Sequence, residues 1–299
     1  MTIVLTGGSG FIGTQLAKKL LALGDTVVVV DIKPPSFTHQ QLFFIQCDIT
    51  SQQLPFNVLE HTDAVINLAG APIGLKWTPA HKQSIYQSRI KSTAHIVESM
   101  RTATSRPGIL INASAVGYYG ERGEEELTER SSKGEGFLAD VVYAWEAEAH
   151  KAEDFGVRVV CIRTAPVVGH GGMLTQMRST AKFGFLLALS KKDFVQPWVH
   201  EEDIVNVYLF ALQTSTLQGV VNVTAPEVVT HHAFMKTLGS IINRKVLGAV
   251  PRALAHMRYG ELVDELTKSQ KVSPQLLIDK GFIFTYPTLR EAITDAVKK

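Results

Sequence analysis

The fold of this 299-residue chain is decided near its N-terminus by residues 3–13, which read IVLTGGSGFIG. A short apolar run comes before the glycines, and Leu16, Leu20 and Leu23 continue the apolar pattern after them at helical spacing. A continuous apolar run is typical of a buried strand, and a glycine-rich junction allows a sharp turn into a helix. The stretch therefore predicts a strand, a tight turn and a helix.

The glycines in this turn predict a phosphate site. Gly7 permits the turn, Gly10 lets a pyrophosphate approach the backbone, and Gly13 lets the helix pack closely on the sheet. Free N–H groups and the positive end of the helix then attract the phosphates. The alternative is a flexible connection without a ligand.

Asp31 ends a second apolar run, Val27–Val30, about 20 residues after the glycines. A carboxylate there accepts hydrogen bonds from the adenosine ribose hydroxyls and repels a 2′-phosphate, so Asp31 favours NAD over NADP. Lys33 acts against this preference because it supplies a compensating positive charge. An Asp that simply ends a strand is the alternative interpretation.

Apolar runs and helical patterns alternate through the first half of the chain. Further runs lie at 42–45, 64–68, 109–113 and 157–162, with helical patterns at 79–104 and 137–155. This alternation predicts an α/β fold with a Rossmann-type doubly wound parallel sheet. After Arg163 the pattern loosens, which predicts a smaller, discontinuous C-terminal cap. The predicted limits are 1–164 and 201–225 for the sheet domain, and 165–200 and 226–299 for the cap.

The composition excludes several kinds of partner. Thirty Lys and Arg residues against 28 Asp and Glu give a net charge of +2, which does not predict binding to nucleic acid. No apolar stretch approaches the roughly 20 residues of a membrane span. Cys47 and Cys161 both lie in apolar runs, which favours buried thiols and a cytoplasmic location. The sequence does not predict an oligomeric state.

Several motifs, taken in order, carry a resemblance to a known family. They are Thr6–Gly13, Asp48-Ile49, Asn67-Leu-Ala-Gly70, Asn112-Ala-Ser114 with Tyr119-Gly120, and Trp198-Val-His-Glu-Glu-Asp-Ile204. Because it carries all of these motifs in this order, the chain resembles the extended branch of the short-chain dehydrogenase/reductase superfamily. It is most similar to an atypical subgroup described as NAD(P)-dependent sugar-nucleotide epimerases. The features of that subgroup include Ser88–Thr93, Ser114–Gly120, Trp145–Glu148 and Val272-Ser-Pro274.

The resemblance implies a cofactor channel along one edge of the sheet. Asp48 and Ile49 are expected beside the adenine, and Arg89 is expected to reach a cofactor phosphate or ribose, a solvated helical Arg being the alternative. Residues just past the sixth strand are expected to pass the nicotinamide. The full set of expected cofactor-binding residues is Gly7, Gly10, Phe11, Ile12, Gly13, Asp31, Lys33, Asp48, Ile49, Leu68, Ala69, Gly70, Arg89, Ala113, Thr164 and Val167.

The catalytic pair of the family is missing. Typical members carry Tyr-x-x-x-Lys on the helix after the fifth strand, and no Tyr in residues 137–148 has a Lys four positions later. The expected catalytic residues are therefore Ser114, Tyr118 and Tyr119, with Ser114 bonding a substrate oxygen and either tyrosine acting as acid. A packed amphipathic side chain is the alternative for either tyrosine. Tyr143 lies two positions from Val141 and Trp145, so it is expected to point away from the cofactor.

The resemblance implies an epimerase or oxidoreductase that transfers hydride at a hydroxyl-bearing carbon of a small molecule, with a nucleotide sugar as the leading class. Because the catalytic pair is missing, two alternatives stay open: a non-catalytic dinucleotide-binding redox sensor, and a reductase that uses a bound water or a substrate group as acid. No metal is expected. His231-His232 is interpreted as surface, Glu124–Glu129 as a solvated loop, and Trp77 as either packing or a stacking face. His200 and Asp203 are expected to join cap and sheet.

Overall fold

A computed structural model gives the fold and describes residues 1–171, 174, 181 and 184–298. Its strands, in chain order, are β1 (Thr2–Thr6), β2 (Thr26–Asp31), β3 (Leu42–Gln46), β4 (Ala64–Asn67), β5 (Ile109–Ala115), β6 (Glu126–Leu127), β7 (Arg158–Thr164), β8 (Val167–Val168), β9 (Phe185–Ala188), β10 (Val199–His200), β11 (Gly219–Val223), β12 (Lys245–Ala249) and β13 (Lys271–Val272).

The α-helices of these residues are α1 (Phe11–Ala22), α2 (Pro79–Thr102), α3 (Phe137–His150), α4 (Glu201–Gln213), α5 (His231–Ile241), α6 (Arg252–Tyr259), α7 (Leu262–Leu266), α8 (Gln275–Asp279) and α9 (Leu289–Lys298). The residues at the start of α2 show why that helix begins there. Thr78 caps α2 by accepting the His81 N–H, and Pro79 occupies the first helical position, where its missing N–H costs nothing.

One central sheet organises the molecule. Its strand order is β11-β7-β5-β4-β1-β2-β3, and every neighbouring pair is parallel. The order reverses between β1 and β4, so the chain winds in both directions from the middle, as predicted for a doubly wound Rossmann-type sheet. Ligands of such sheets bind where the carboxyl ends of the strands lie, and we call this side the carboxyl edge.

Two apolar layers cover the sheet. Val4, Val65 and Cys161 face one side together with Ile96 of α2 and Ala149 of α3. The alternate strand residues face the other side, against α1 and α4. Since side chains alternate along a strand, the residues two positions after Val4, Val65 and Cys161 return to the α2 and α3 side. That side therefore carries the polar residues at the strand ends.

A third apolar cluster lies apart from the sheet, and it includes Trp198, Phe234 and Ile293. This cluster combines pieces separated in sequence, which is the arrangement expected of a discontinuous cap. Val272 and Phe282, by contrast, pack in the sheet core with α4. The predicted domain limits stay a prediction, and residues 172–173, 175–180, 182–183 and 299 of the predicted cap lie outside the described residues.

Two features bear on partners and compartment. Cys47 and Cys161 are both buried and unpaired. Among the described residues, no helix combines the length and apolar character needed to cross a membrane.

Candidate functional site

The turn between β1 and α1 accepts only glycine at two positions. Gly7 has a φ of +69°, and a Cβ there would lie 2.8 Å from the Ala69 nitrogen. At Gly13 a Cβ would lie 2.6 Å from both the Gly7 oxygen and the Gly8 Cα. These neighbours are backbone atoms and cannot move aside cheaply, so Gly7 and Gly13 shape the turn itself.

Gly10 differs from these two glycines because the space beside it is open. A Cβ at Gly10 would meet only the Gly7 oxygen, at 3.1 Å. Gly10 also precedes the first residue of α1 without a side-chain cap, so side chains leave the first N–H groups of α1 available. Open space in front of free helix N–H groups fits a diphosphate.

Asp31 lies beside this turn, at the end of β2. Its carboxylate accepts the backbone N–H of Ser9 at 3.0 Å, Ile32 at 2.7 Å and Lys33 at 3.3 Å. The Ser9 hydroxyl donates to the Lys33 carbonyl at 2.6 Å. Asp31 therefore holds the glycine turn against β2, a structural function that the sequence pattern does not reveal.

A row of buried polar side chains crosses the sheet at the carboxyl edge. Thr6, Asn67 and Asn112 are register partners on β1, β4 and β5. The Asn67 amide donates to Asn112 Oδ1 at 2.7 Å, and its oxygen accepts the Thr6 hydroxyl at 2.8 Å. Thr93 Oγ1 of α2 accepts the Asn67 amide and the Trp145 indole N–H, which ties both helices to this row. The row is uncharged and its polar groups are paired.

Arg89 of α2 is a buried cation near this row. Its guanidinium donates to the carbonyl oxygens of Ala71 at 3.2 Å and Ile85 at 3.3 Å, and it lies 5.1 Å from the Trp145 ring. No carboxylate of the described residues pairs with it. Burial lowers the pKa of Arg89 to about 10. A Cβ at Gly70 would lie 3.1 Å from the guanidinium carbon, so that glycine leaves room for the charge. These properties fit an anionic ligand.

Ser114 belongs to a second, charged group at the end of β5. Its hydroxyl donates to Glu146 Oε1 of α3 at 2.5 Å. Arg163, the register partner of Ser114 on β7, binds both carboxylate oxygens of Glu146, through Nε at 2.8 Å and Nη2 at 2.7 Å. All three residues are at least 95% buried. We call Ser114, Glu146 and Arg163 the charged triad.

Tyr118 and Tyr119 both contact the charged triad, through different groups. The Tyr118 ring lies over the Arg163 guanidinium, 3.4 Å from its carbon, and the Tyr118 hydroxyl has no partner among the described residues. The Tyr119 hydroxyl accepts Arg163 Nη1 at 2.9 Å and lies 2.6 Å from Asn222 Oδ1. Burial raises the pKa of Tyr119, although Arg163 and its hydrogen bonds act in the opposite direction.

The remaining expected cofactor residues lie along the same carboxyl edge. Asp48 follows β3, and its carboxylate accepts the N–H and the hydroxyl of Thr50. Leu68, Ala69 and Gly70 follow β4, while Ala113, Thr164 and Val167 lie at or just beyond the ends of β5 and β7. The fold thus brings together residues that are far apart in sequence.

Several sequence interpretations need correction. His231, expected at the surface, is 1% exposed because its ring stacks on Phe194 and its Nε2 accepts the Leu189 N–H. Burial lowers the pKa of His231 to about 4. The loop expected to be solvated is exposed at residues 124–126, but Glu126–Leu127 form β6 and Glu129 accepts the Asn222 N–H at 2.9 Å. Burial raises the pKa of Glu129.

Three other interpretations agree with the structure. Tyr143 is 56% exposed and points away from the sheet. Asp203 joins α4 to the C-terminal segment, since its carboxylate accepts the N–H groups of Thr285 and Tyr286. Trp77 packs: its indole donates to the Ile73 carbonyl, and its ring meets Phe137 edge-on. Trp77 also lines a cavity of about 400 Å³ with Tyr86.

Sequence reasoning missed Glu146 and Arg163. A signal was present for the second, because Arg163 directly follows the apolar run 157–162, and a cation at the end of a buried strand requires a partner. Glu146 gave a weaker signal. It sits beside Trp145 on the helix where the missing catalytic pair was sought, and only the fold shows that it faces inward.

Comparisons with known proteins agree with this geometry. Residues 3–224 match the model of the NAD dependent epimerase/dehydratase family, and residues 250–296 match a domain of unknown function, DUF1731. The epimerase family protein YfhF of Bacillus subtilis is 32% identical over 300 residues, covering 99% of this chain and 98% of its own. A chloroplastic homolog from Arabidopsis thaliana is 33% identical over 302 residues, covering 98% of this chain and 86% of its own.

Solved structures give the same result. The human epimerase family protein SDR39U1 (isoform 2), determined with NADPH, is 26% identical with a TM-score of 0.86 over 99% of both chains. A nucleoside-diphosphate sugar epimerase from Corynebacterium glutamicum is 28% identical with a TM-score of 0.79, covering 99% of this chain and 58% of that one. The predicted NAD(P)-binding Rossmann sheet is confirmed, and this chain belongs to the NAD dependent epimerase/dehydratase family.

Proposed function

We propose that the protein is an enzyme that binds NAD or NADP along the carboxyl edge and catalyses hydride transfer at a hydroxyl-bearing carbon of a nucleotide sugar. The observation that carries the proposal is Ser114, a buried hydroxyl with a charged partner, at the same edge and on the same face as the polar row beside the glycine turn. A group able to bond a substrate oxygen thus lies on the ligand-binding side of the sheet.

The cofactor is proposed to be held by backbone and side chains in turn. The first N–H groups of α1, from Phe11 to Gly13, would bind the diphosphate, and Asp31 would bind the adenosine ribose. When bound, the nicotinamide supplies the hydride acceptor or donor. Arg89 is proposed to supply the positive charge next to the bound cofactor, which would account for a buried cation without a carboxylate partner.

Asp31 favours NAD, because a carboxylate at this position repels a 2′-phosphate. Lys33 is exposed and adds a compensating charge. The human relative was determined with NADPH, so the preference of this chain needs direct measurement.

The substrate class is supported by a cavity of about 760 Å³ between the loop after Tyr119 and the C-terminal segments. Lys191 and Lys192 line it, and neither forms an ion pair within the described ranges. Glu121, an acidic residue of the lining, is occupied by backbone N–H groups of Gly123 and Ser269. Glu124, Asp193 and Asp264 line the same cavity, so its charge is mixed, and it is the size of the cavity that suits a small ligand.

Ser114 is proposed to bond the reacting oxygen of the substrate, and Tyr118, ahead of Tyr119, is proposed as the tyrosine able to donate a proton or a hydrogen bond to the ligand. The Tyr118 hydroxyl keeps its hydrogen-bonding capacity within the part of the chain that the structure describes. The Tyr119 hydroxyl instead contacts Arg163 and Asn222, so we assign Tyr119 to positioning Arg163. The buried thiols Cys47 and Cys161 favour a reducing compartment, and we propose the cytoplasm.

The test is turnover of the purified full-length protein with NAD⁺ or NADP⁺ and a panel of nucleotide sugars, including UDP-glucose and UDP-glucuronic acid. Chromatography of the sugars and the absorbance of reduced nicotinamide report the reaction. We expect turnover of at least one sugar and a loss of at least about 10²-fold in kcat for Ser114→Ala. Cofactor binding without turnover on any sugar would contradict the proposal and favour a dinucleotide-binding redox sensor.

A cofactor control uses a matched pair of glycines. Gly10→Val should abolish binding of both cofactors, because the branched side chain fills the open space in front of α1. Gly108→Val should leave binding unchanged, since a Cβ at Gly108 meets only the Asp63 oxygen, at 3.9 Å. Retained affinity in Gly10→Val would show that the turn is not the diphosphate site.

A further inference from the structure

The charged triad fixes the direction of the Ser114 hydroxyl. The Glu146 carboxylate accepts three hydrogen bonds, one from Ser114 and two from Arg163. An ionised carboxylate has no hydrogen to donate, so in the Ser114 contact the serine must be the donor. The hydrogen of Ser114 is therefore committed to Glu146 Oε1, and its oxygen lone pairs remain for a ligand. Ser114 is thus oriented to accept a hydrogen bond from a substrate hydroxyl.

Along the stripe of helix α3 that carries Glu146, the other acid-base group is His150, which lies at the C-terminal end of the helix and pairs with Glu153. Leu138 and Val142 precede Glu146 by two turns and one turn of the helix, so all three share one stripe. A Cβ at Gly117, just after β5, would lie 3.2 Å from Leu138 Cβ, which places this stripe against the end of β5. Glu146 is the buried acid-base group of this stripe, and it contacts Ser114 directly.

We propose that Ser114 and Glu146 form a proton relay that replaces the missing Tyr-x-x-x-Lys pair, with Glu146 acting through Ser114. Ser114 is the catalytic residue of the relay, because Ser114 would touch the substrate and Glu146 would not. Glu146 is a positioning residue that also receives the serine proton. This inference rests on the proposed function and names the acid-base chemistry of the same site.

The proton balance follows the hydrogen bonds. In the oxidative direction the substrate C–H bond breaks, and its electron pair leaves with the hydrogen as hydride to the nicotinamide. The substrate O–H proton passes to Ser114 Oγ while the Ser114 proton passes to Glu146 Oε1. The substrate carbonyl forms, Ser114 is regenerated and Glu146 becomes neutral. Reduction of a carbonyl runs the same transfers in reverse.

Arg163 gives the relay its geometry and its charge. Its two bonds to Glu146 hold the carboxylate in the plane that meets Ser114, which fixes the position of the proton acceptor. A second contact to the Tyr119 hydroxyl and the Tyr118 ring fixes the guanidinium in turn. The typical pair of the family couples a proton-carrying oxygen to a lysine cation. In this chain the proton-carrying oxygen is Ser114 Oγ, which passes its proton to Glu146, and Arg163 takes the place of the lysine cation.

The experiment measures kcat and KM between about pH 5 and 9 for the wild-type protein, Glu146→Gln and Ser114→Ala, with the cofactor and nucleotide sugar that the wild type turns over. Glutamine keeps the shape of Glu146 but cannot take up the proton. We expect Glu146→Gln to lose at least about 10²-fold in kcat with KM changed less than about threefold, and to have a pH profile of kcat that differs from that of the wild type.

Three controls separate chemistry from folding. Glu148 lies on the same helix and pairs with Lys151. Glu148→Gln should therefore leave kcat and its pH profile unchanged. The double variant Ser114→Ala/Glu146→Gln should be no slower than the slower single variant, since both act in one relay. If Glu146→Gln fails to fold, Glu146→Gln/Arg163→Met removes both charges together and should fold without turnover.

The outcomes distinguish the two proposals. No turnover by the wild-type protein overturns the proposed function, and the relay with it. Turnover by the wild type together with a Glu146→Gln variant, or the double-charge variant, that keeps the wild-type kcat and pH profile overturns the relay alone. Loss of kcat with a changed pH profile in Glu146→Gln supports it.

Discussion

Arg89 and Arg163 are both buried on the α2 and α3 side of the sheet, near the carboxyl edge, but their surroundings are opposite. Arg163 binds both oxygens of Glu146 and contacts Tyr119. Arg89 has only two backbone carbonyl oxygens as hydrogen-bond partners, with no carboxylate partner in the described part of the chain. One arginine has its counter-ion within the fold, and the other does not.

The difference shows in how readily each side chain keeps its proton. Burial lowers the pKa of Arg89 to about 10. Burial also lowers the pKa of Arg163, but hydrogen bonding to Glu146 and its negative charge more than offset this, so that the net pKa is raised. A buried cation without an anion costs free energy, whereas a paired one is locked in place. We therefore expect Arg163 to matter for stability and Arg89 to matter for ligand binding.

The largest effect should come from breaking the paired arginine. Arg163→Met leaves Glu146 buried without a counter-charge, and removal of one partner of such a pair costs about 3–5 kcal/mol of unfolding free energy. Chemical denaturation of the ligand-free protein measures this loss. The double variant Glu146→Gln/Arg163→Met should recover part of the stability, because no charge is left unpaired. A single variant as stable as the wild type would contradict the assigned pairing.

The unpaired arginine should give the reverse pattern. Arg89→Met removes a buried charge that has no carboxylate partner, so the unfolding free energy of the ligand-free protein should stay equal or rise. Affinity for NAD⁺ and NADP⁺ should fall by about tenfold or more, which corresponds to about 1.4 kcal/mol. Isothermal titration calorimetry measures the affinity, with Arg89→Lys as the variant that keeps the charge. A fall in stability with unchanged affinity would assign Arg89 to structure.

Asp31 extends the comparison to a negative charge. It tests whether a carboxylate at the adenosine end of the proposed cofactor site sets the preference between NAD⁺ and NADP⁺. Asp31→Asn removes the negative charge and keeps one oxygen, which can accept the N–H groups of Ile32 and Lys33, but it loses the second oxygen that accepts the Ser9 N–H. Affinity for NADP⁺ relative to NAD⁺ should rise by about tenfold, because the repulsion of the 2′-phosphate disappears. The ratio of dissociation constants measures this effect. An equal change for both cofactors would mean that Asp31 acts only by holding the glycine turn.

The sequence predicted the glycine turn better than it predicted the charged triad, for a physical reason. The phosphate turn depends on local geometry: Gly7 and Gly13 meet backbone atoms within one strand–turn–helix unit, and glycine spacing records that directly. The charged triad depends on three elements that are distant in sequence, β5, α3 and β7. No local sequence pattern predicts that Glu146 faces Arg163. The burial of His231 was missed for the same reason, because the residues that cover it, in the range 189–194, are distant in sequence.

The smallest expected effect is on the outer side of α3. Tyr143 lies less than one turn before Glu146 but is 56% exposed, with its side chain directed away from the charged triad. Tyr143→Phe should change the unfolding free energy by less than about 0.5 kcal/mol, as is usual for surface substitutions. Its kcat on the nucleotide sugar should stay within about twofold of the wild type, because the hydroxyl lies outside the relay. A large loss of turnover with unchanged stability would show that Tyr143 is a relocated catalytic tyrosine. It would also remove the need for Glu146 as proton acceptor, so this conservative change tests whether the chemistry belongs to the inner or the outer face of the same helix.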